Sequence, residues 1–316
     1  MEYRELGRTG LRVSRLCFGS LTIGPLQAGL PLEEGAGLIR RAITDYGVNF
    51  VDTAELYRTY RYLGKALEGI GREVIVAAKS YASTAREMED SLHLALKEMG
   101  IERVGAFLLH EQESIHTIRG HWGALEYLVR ARERGLVGAV VISTHAVAGV
   151  RSAARIPEIQ VIHPIINYQG LGILDGTAED MLAAIQEAKS FGKGIYAMKA
   201  LGGGNLHQDL DRAVGFVRDI PWVDSIALGI KNPDELEMDV RLVLGEPVND
   251  ALRRRALGAK KRLRIEEWCD GCGSCLEACH EAALRVVDGR AVVDESRCLL
   301  CGYCGARCPD FAIKMF

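Results

Sequence analysis

The sequence predicts an α/β protein: a closed (β/α)8 barrel followed by a small cysteine-rich α+β module. Three observations carry this. Eight short runs rich in Val and Ile alternate with eight helix-like stretches within residues 1–245, as strands buried on both faces alternate with the helices that cover them. The position after the first run reads "GSLTIGPLQAGLP" and lacks the G-x-G-x-x-G loop with which a doubly wound open sheet usually opens. Eight of the nine cysteines lie between Cys269 and Cys308, beyond the last strand–helix unit, which marks a separate module.

The elements follow in order. "YRELGRTGLRVSRL" reads as a short hairpin, with Gly7 and Gly10 supplying the turn. Strands are expected at "RLCFG", "VNFVD", "VIVAAK", "VGAFLLH", "VGAVVIS", "IQVIHP", "KGIYAMK" and "DSIALG". Helices are expected over Leu32–Tyr46, Tyr60–Glu68, Thr84–Met99, Ser114–Arg134, Val147–Ala154, Ala178–Phe191, His207–Arg218 and Asp234–Leu244. This is the TIM-barrel order over residues 1–245. After "GEPVND" the character changes to "ALRRRALGAKKRLRIEEW", a basic connecting helix over residues 246–265 carrying Arg253, Arg254, Arg255, Lys260, Lys261, Arg262 and Arg264. The last module covers 266–316. Between its cysteine runs, "ALRVVDGRAVVDESR" reads as two strands around an Asp-Gly turn, and "AIKMF" adds an edge strand.

Composition bounds the function. Hydrophobic residues make up 48% and charged residues 26%, ordinary for a globular chain. A net charge of −3 gives no global field for nucleic acid or membrane. No apolar run approaches the ~20 residues of a membrane helix, and "MEYRELGRTG" is no signal peptide, so the chain reads as cytoplasmic. The basic run is either a solvated helix or a dock for an acidic electron-carrier protein; no aromatics interleave with its charges, as nucleic-acid binding would favour. Cys17, in the apolar "RLCFG", reads as a buried small hydrophobe.

Chemistry in such barrels sits where strands end. Three consecutive strand ends carry ionisable groups: Asp52 in "VDTAELY", Lys79 in "VAAKS" and His110 in "FLLHEQ", with Tyr57 in the loop after Asp52. A lysine beside a tyrosine favours the phenolate and lowers its pKa. A carboxylate would hold that lysine charged, and a histidine can donate to a carbonyl oxygen. The set suits protonating a carbonyl oxygen while hydride reaches its carbon. Each residue also has a plain role, Asp and Lys as an ion pair and His as a satisfied core group. Their joint placement at three strand ends favours the catalytic role.

"NFVDTAELY", "VAAKS" and "LLHEQ", with the opening "LGRTGLRVSRLCFGS" and "LGKAL" after the tyrosine, resemble the aldo-keto reductase family. The resemblance implies a barrel that binds a nicotinamide cofactor without a Rossmann loop, a small-molecule carbonyl or alcohol substrate, and Tyr57 as proton donor in a tetrad with Asp52, Lys79 and His110. It implies Ser143 and Thr144 of "VISTH", with Asn167 of "HPIINY", at the nicotinamide; His163 stands where a supporting glutamine is common. "MKALGGG" resembles the segment under the pyrophosphate, which implies Gly202, Gly203 and Gly204. "LGIKNPDELEMDV" resembles the segment at the adenosine end, where Lys231 could meet a 2′-phosphate. Glu235, Met238 and Asp239 depart from the family pattern there, so NADP(H) is the default and NAD(H) stays open.

"CDGCGSCLEACH" and "CLLCGYCGARCP" share the spacing Cys-x-x-Cys-x-x-Cys-x-x-x-Cys, the bacterial two-cluster ferredoxin pattern in which the fourth cysteine ligates the other cluster. That resemblance implies a ferredoxin-like iron–sulfur domain with two [4Fe–4S] clusters, one on Cys269, Cys272, Cys275 and Cys308, the other on Cys298, Cys301, Cys304 and Cys279. Zinc is the rival, but zinc sites usually show paired Cys-x-x-Cys units. Pro309 follows Cys308 as the pattern expects; His280 follows Cys279 instead of proline.

The expected function is an oxidoreductase of aldo-keto reductase type, interconverting a carbonyl and an alcohol and coupled to or supported by two clusters. A hydride carries two electrons and a cluster passes one, so the clusters could exchange electrons with the barrel through a flavin or a radical step, hold the module as a lid, or sense redox state. The competing class is an electron-transfer or redox-regulatory protein that keeps the barrel as scaffold. Trp122, Tyr81 and His145 are the informative groups in the loops that would line the pocket.

Overall fold

In the computed structural model, which describes residues 1–71, 73–258 and 262–315, the chain opens with an antiparallel hairpin, β1 (Tyr3–Glu5) and β2 (Arg12–Ser14). Eight parallel strands then close the barrel: β3 (Leu16–Gly19), β4 (Phe50–Asp52), β5 (Ile75–Ser80), β6 (Val104–Leu109), β7 (Val137–Thr144), β8 (Val161–Pro164), β9 (Gly194–Ala197) and β10 (Ser225–Gly229), with β10 returning to pair with β3. The helices between them are α1 (Leu32–Tyr46), α2 (Tyr60–Leu67), α3 (Ala85–Met99), α4 (Ile115–Gly120), α5 (Trp122–Glu133), α6 (Val147–Ala154), α7 (Ala178–Ser190), α8 (Leu210–Arg218) and α9 (Pro233–Leu244). Each predicted strand is present.

Strand parity sorts the side chains. Cys17, Phe50, Ile75, Ala106, Val141 and Tyr196 fill the barrel interior, and Leu6, Leu11 and Val13 of the hairpin segment pack beneath them as a plug. The alternate residues, among them Leu16, Val51, Val76 and Val140, face the helices in the larger core. Cys17 is fully buried in that interior, the small-hydrophobe role expected of it.

Three expectations are corrected. The stretch Ser114–Arg134 is two helices, because Gly120, a poor helix former, is followed by His121 with φ −103° and ψ 17°, which ends α4 and begins α5. Residues His207–Asp209 form a 3-10 turn before α8. The basic connecting helix stops early: α10 spans Asp250–Leu257 and ends at Gly258, while Leu263–Ile265 is a strand, β11. Leu263 and Ile265 alternate into the module's core, which a helix could not arrange. Lys260 and Lys261 lie outside the described residues.

The module continues with α11 (Ser274–Glu277), β12 (Leu284–Val287), β13 (Arg290–Val293), α12 (Tyr303–Ala306) and β14 (Ile313–Met315). β12 and β13 form the predicted hairpin around Asp288 and Gly289, both left-handed. β14 pairs antiparallel with β11. The two cysteine runs repeat their backbone as well as their spacing: Gly271, Gly273 and Ala282 have positive φ, and so do their counterparts Leu300, Gly302 and Phe311.

The module docks on the loop after β9. The Asn205 amide donates to the Ile313 carbonyl (3.2 Å), Gly302 and Gly305 abut Asn205, and the Arg264 guanidinium donates to the Leu26 carbonyl. Phe311, 5% exposed, belongs to the barrel's larger core. Among the described residues no helix is long and apolar enough to cross a membrane.

Candidate active site and cysteine module

Asp52 ends β4, Lys79 lies next to the end of β5 and His110 directly follows β6, so the parallel register brings all three to one mouth. Tyr57 closes a 3-10 turn, Glu55–Tyr57. That turn is pinned: the Ser80 and Ser91 hydroxyls donate to one Glu55 oxygen (2.9 and 2.7 Å), and Thr59 joins Thr53 and Ser20 by hydroxyl contacts of 2.8 Å. Lys79 Nζ lies 2.5 Å from Asp52 Oδ1, donates to the Thr53 carbonyl at 2.9 Å and sits 4.9 Å from the Tyr57 ring centroid. The Tyr57 and His110 rings meet edge to face at 6.0 Å. The four residues named from the sequence are therefore together.

Two further groups complete the floor. Tyr196 donates to Asp52 Oδ2 at 3.2 Å and stacks on His163 at 3.8 Å. His163 Nε2 is 3.8 Å from the same carboxylate oxygen. Sequence reasoning missed Tyr196; its inward parity in "KGIYAMK" was the available signal.

The electrostatics refine the expected roles. Burial raises the Asp52 pKa, while Lys79 and then the Tyr196 hydroxyl pull it back. Burial, then the Asp52 and Glu111 carboxylates, push the Tyr57 phenol well above its ordinary value. The net shift is thus opposite to the lowering expected from Lys79, because burial and these two carboxylates outweigh that cation. Burial, then Lys79, His163 and Lys199, hold His110 well below its usual pKa, so its ring is neutral. His110 Nδ1 is buried without a hydrogen-bond partner. A protonated phenol and a neutral, unpartnered imidazole flank one space.

Of the loop residues considered for the pocket, Tyr81 stacks on His110 at 4.3 Å and donates to Glu111 Oε2 at 2.6 Å. His145 Nε2 lies 2.8 Å from Lys199 Nζ and its Nδ1 is 3.8 Å from Glu111 Oε1. Trp122 instead donates to Glu126 one turn along α5.

The residues considered for a nucleotide are occupied to different degrees. Ser143 Oγ accepts from the Glu111 N–H (2.9 Å) and keeps its own hydrogen to give. Thr144 Oγ1 serves the Ala146 backbone. Asn167 spends both ends of its amide on the 167–171 loop and Lys199. Gly202 packs on Leu171 and Leu206, Gly203 on Phe311 and Lys314, and a Cβ on Gly204 would overlap the Met315 carbonyl. The close approach these glycines permit is thus used by β14 and its flanks. Lys231 Nζ is 4.0 Å from Glu235, and burial, then Glu235, raises Asp239 so that it is uncharged. Ser143, expected at a nicotinamide, retains a hydroxyl hydrogen for a ligand; the glycine loop expected under a pyrophosphate is covered by the module.

The structure brings together one of the two cysteine sets that the repeat suggested. Cys279, Cys298, Cys301 and Cys304 line one cavity of about 150 Å³, with His280 and Tyr303 at its wall. Burial raises the Cys304 thiol to about 12, with Cys301, Cys298 and Cys275 adding to it. Burial raises Cys275 as well, and Cys308, Cys269 and Cys272 add to that shift. Backbone N–H groups of Ala283, Ala291 and Ala312 point at Cys279, Cys269 and Cys308 sulfurs at 3.2, 3.4 and 3.2 Å. Such donors stabilise thiolate ligands and tune a cluster's potential, so the residues present fit an iron–sulfur cluster.

Comparison with known proteins agrees. The model of the aldo/keto reductase family matches residues 15–236, and that of a 4Fe-4S dicluster domain matches 268–312. An uncharacterized oxidoreductase, YrpG, of Bacillus subtilis is 26% identical over 230 residues, covering 65% of this chain and 68% of that protein. One component of an ion-translocating oxidoreductase complex of Methanosarcina acetivorans is 34% identical over 70 residues, covering 22% of this chain and 26% of that one. A solved structure from Pseudomonas aeruginosa, assigned provisionally as an aldo-keto reductase, superposes with a TM-score of 0.66 at 26% identity, covering 77% of this chain and 94% of that one.

Proposed function

Because this chain belongs to the aldo/keto reductase family and ends in a 4Fe-4S dicluster domain, we propose that its barrel interconverts a small carbonyl compound and its alcohol. Tyr57 is the proton donor. The observation that carries this reading is the Tyr57 phenol beside the buried Lys79–Asp52 pair and facing neutral His110. A reduced nicotinamide, NADP(H) by default and NAD(H) as the other choice, would supply hydride to the carbonyl carbon.

The residues do the rest. His110 donates to the carbonyl oxygen and fixes its direction. Tyr57 keeps its proton until charge develops on that oxygen, because its phenol is held well above the ordinary value. An alkoxide is a stronger base than a phenolate, so the transfer then runs downhill. Lys79 sits close enough to stabilise the phenolate that results; Asp52 and the Thr53 carbonyl hold Lys79 in place, and Tyr196 holds Asp52. Ser143 is the donor offered to the nicotinamide amide.

Two clusters would be held by Cys269, Cys272, Cys275 and Cys308, and by Cys298, Cys301, Cys304 and Cys279. They would supply one-electron transfer to a cytoplasmic partner, for which an acidic carrier protein is the candidate. In the basic segment, Arg253 and Arg255 already pair with Asp211 and Asp234 of the barrel (3.0 and 2.9 Å), leaving Arg254 and Arg262 as its outward charges among the described residues.

One observation favours the second reading, an electron-transfer or regulatory protein on a barrel scaffold: β14 covers the glycine loop expected under a pyrophosphate. Assay of the cluster-loaded protein on a panel of aldehydes and ketones with NADPH and with NADH separates the two. Carbonyl reduction supports the first reading. No turnover and no nucleotide binding would leave the second.

A further inference from the structure

The two cysteine runs repeat one another, but only the second reaches into the barrel. In the first repeat the positions after the fourth cysteine carry Ala282 and Arg285, both exposed. Their counterparts Phe311 and Lys314 are 5% and 8% exposed. Lys314 Nζ lies 3.1 Å from the Phe311 ring centroid and donates to the Phe311 carbonyl. Lys199, from the loop after β9, places its Nζ 4.9 Å from the same centroid. Two ammonium groups, one from each half of the chain, thus share one aromatic ring.

No carboxylate pairs with them directly among the described residues. Glu111 accepts from Tyr81 and Glu266 pairs with Arg264 at 3.0 Å, and both act on the lysines only from a distance. Among the described residues neither Lys199 nor Lys314 has a carboxylate oxygen within 4.0 Å. Burial lowers Lys199 to about 8, with Glu111 and Glu266 holding part of it back and Lys79 adding to it; burial and then Lys199 lower Lys314 to about 6. Buried cations without a counter-ion are costly, and an anion placed between them would restore both charges. Lys199 and Glu111 also hold left-handed backbone, φ 57° and 51°, a conformation uncommon outside glycine. The contacts Lys199–His145, His145–Glu111, Glu111–Tyr81 and Tyr81–His110 connect this point to the tetrad.

We propose that Lys199 and Lys314 together bind the carboxylate of an anionic carbonyl substrate, a 2-oxo acid or close analogue, at the seam between the barrel mouth and the iron–sulfur module. This rests on the carbonyl reading of the tetrad for what the substrate does, but the binding itself does not require turnover. The module then contributes a specificity residue as well as clusters. The same chemistry could serve a dinucleotide pyrophosphate, and the experiment separates the two sources.

The test uses the full, cluster-loaded, oxidised protein. Calorimetric titration compares phenylglyoxylate with its methyl ester, and NADP+ is titrated in parallel. A charge-assisted contact predicts at least about a ten-fold preference for the acid. Lys199→Met and Lys314→Met should each collapse that preference to about two-fold or less, and Lys314→Arg should retain most of it. Lys199→Met is on a half-exposed barrel loop, so it tests the site even if Lys314→Met fails to dock its module; iron content and thermal melting check each variant. Equal binding of acid and ester would overturn the proposal. So would lysine variants that weaken NADP+ while keeping the acid preference, which would assign the lysines to the pyrophosphate. The acid preference persisting in Tyr57→Phe, with no carbonyl turnover in the wild type, would uphold the carboxylate site and remove the catalytic reading alone.

Discussion

Lys79→Met removes the cation from a pair in which Lys79 is 1% and Asp52 5% exposed, with 2.5 Å between Nζ and Oδ1. Methionine keeps the length of the stem, so the change isolates the charge. Breaking one partner of a buried pair costs about 3–5 kcal/mol when the other stays ionised. Asp52 can instead take up a proton, at about 1.4 kcal/mol per pH unit above a reference of about 3.9: about 2 kcal/mol at pH 5.5 and about 5–6 at pH 8. The variant follows the cheaper course. Its loss should therefore be about 3–5 kcal/mol at pH 8 and about 2 or less at pH 5.5. The sign follows from linkage: burial raises the folded carboxyl above its unfolded value, the folded state binds more protons, and stability falls as pH rises. Urea melts of the cluster-loaded protein by far-UV circular dichroism at both pH values measure it. A loss below about 1 kcal/mol at pH 8, or an equal loss at both, would refute the buried-pair argument.

Other outcomes follow from the same geometry. Anaerobic analysis should find about eight iron and eight sulfide per chain, with Cys298→Ser losing about half; zinc in their place would contradict the cluster assignment. Gly204→Ala meets both a φ of +89° and the Met315 carbonyl, so it should loosen the docked module by about 1–3 kcal/mol. Hydrogen exchange at Ile313–Met315 should then quicken by ten-fold or more, whereas Gly10→Ala, which meets nothing, should leave that strand unchanged. Phenylglyoxylate affinity should fall as pH is raised from 7 to 9, because Lys199 is charged below about 8 and neutral above it. Lys79, Lys314, His145, Glu111 and Glu266 face it and set the slope.

Much of this was legible in the sequence because strands have a period of two and end at one mouth. Asp52, Lys79 and His110 sit at equivalent ends of β4, β5 and β6, so order along the chain gave their convergence. The cysteine spacing gave the module, since close sulfur spacing is local. What stayed hidden depends on contacts between distant segments. Tyr196 reaches Asp52 from 144 positions away, and nothing in "KGIYAMK" names its partner. The apposition of Lys199 and Lys314 arises only when β14 lies along the glycine loop. The early stop of the basic helix was missed because the charge run continues through Arg264, and the strand at Leu263–Ile265 forms only against β14. The Tyr57 shift was read with the wrong sign because the depth of its burial, and the reach of Asp52 and Glu111 to its phenol, are tertiary facts.

The most direct test of the central claim is carbonyl reduction by Tyr57→Phe, measured beside the wild type on the carbonyl that the panel selects, with iron content and nucleotide binding checked in both. Loss of the phenolic proton should lower turnover by about 10²–10⁴-fold while substrate binding and cluster content hold. Turnover within about two-fold of the wild type would contradict Tyr57 as the proton donor, and with it the catalytic reading of the barrel mouth.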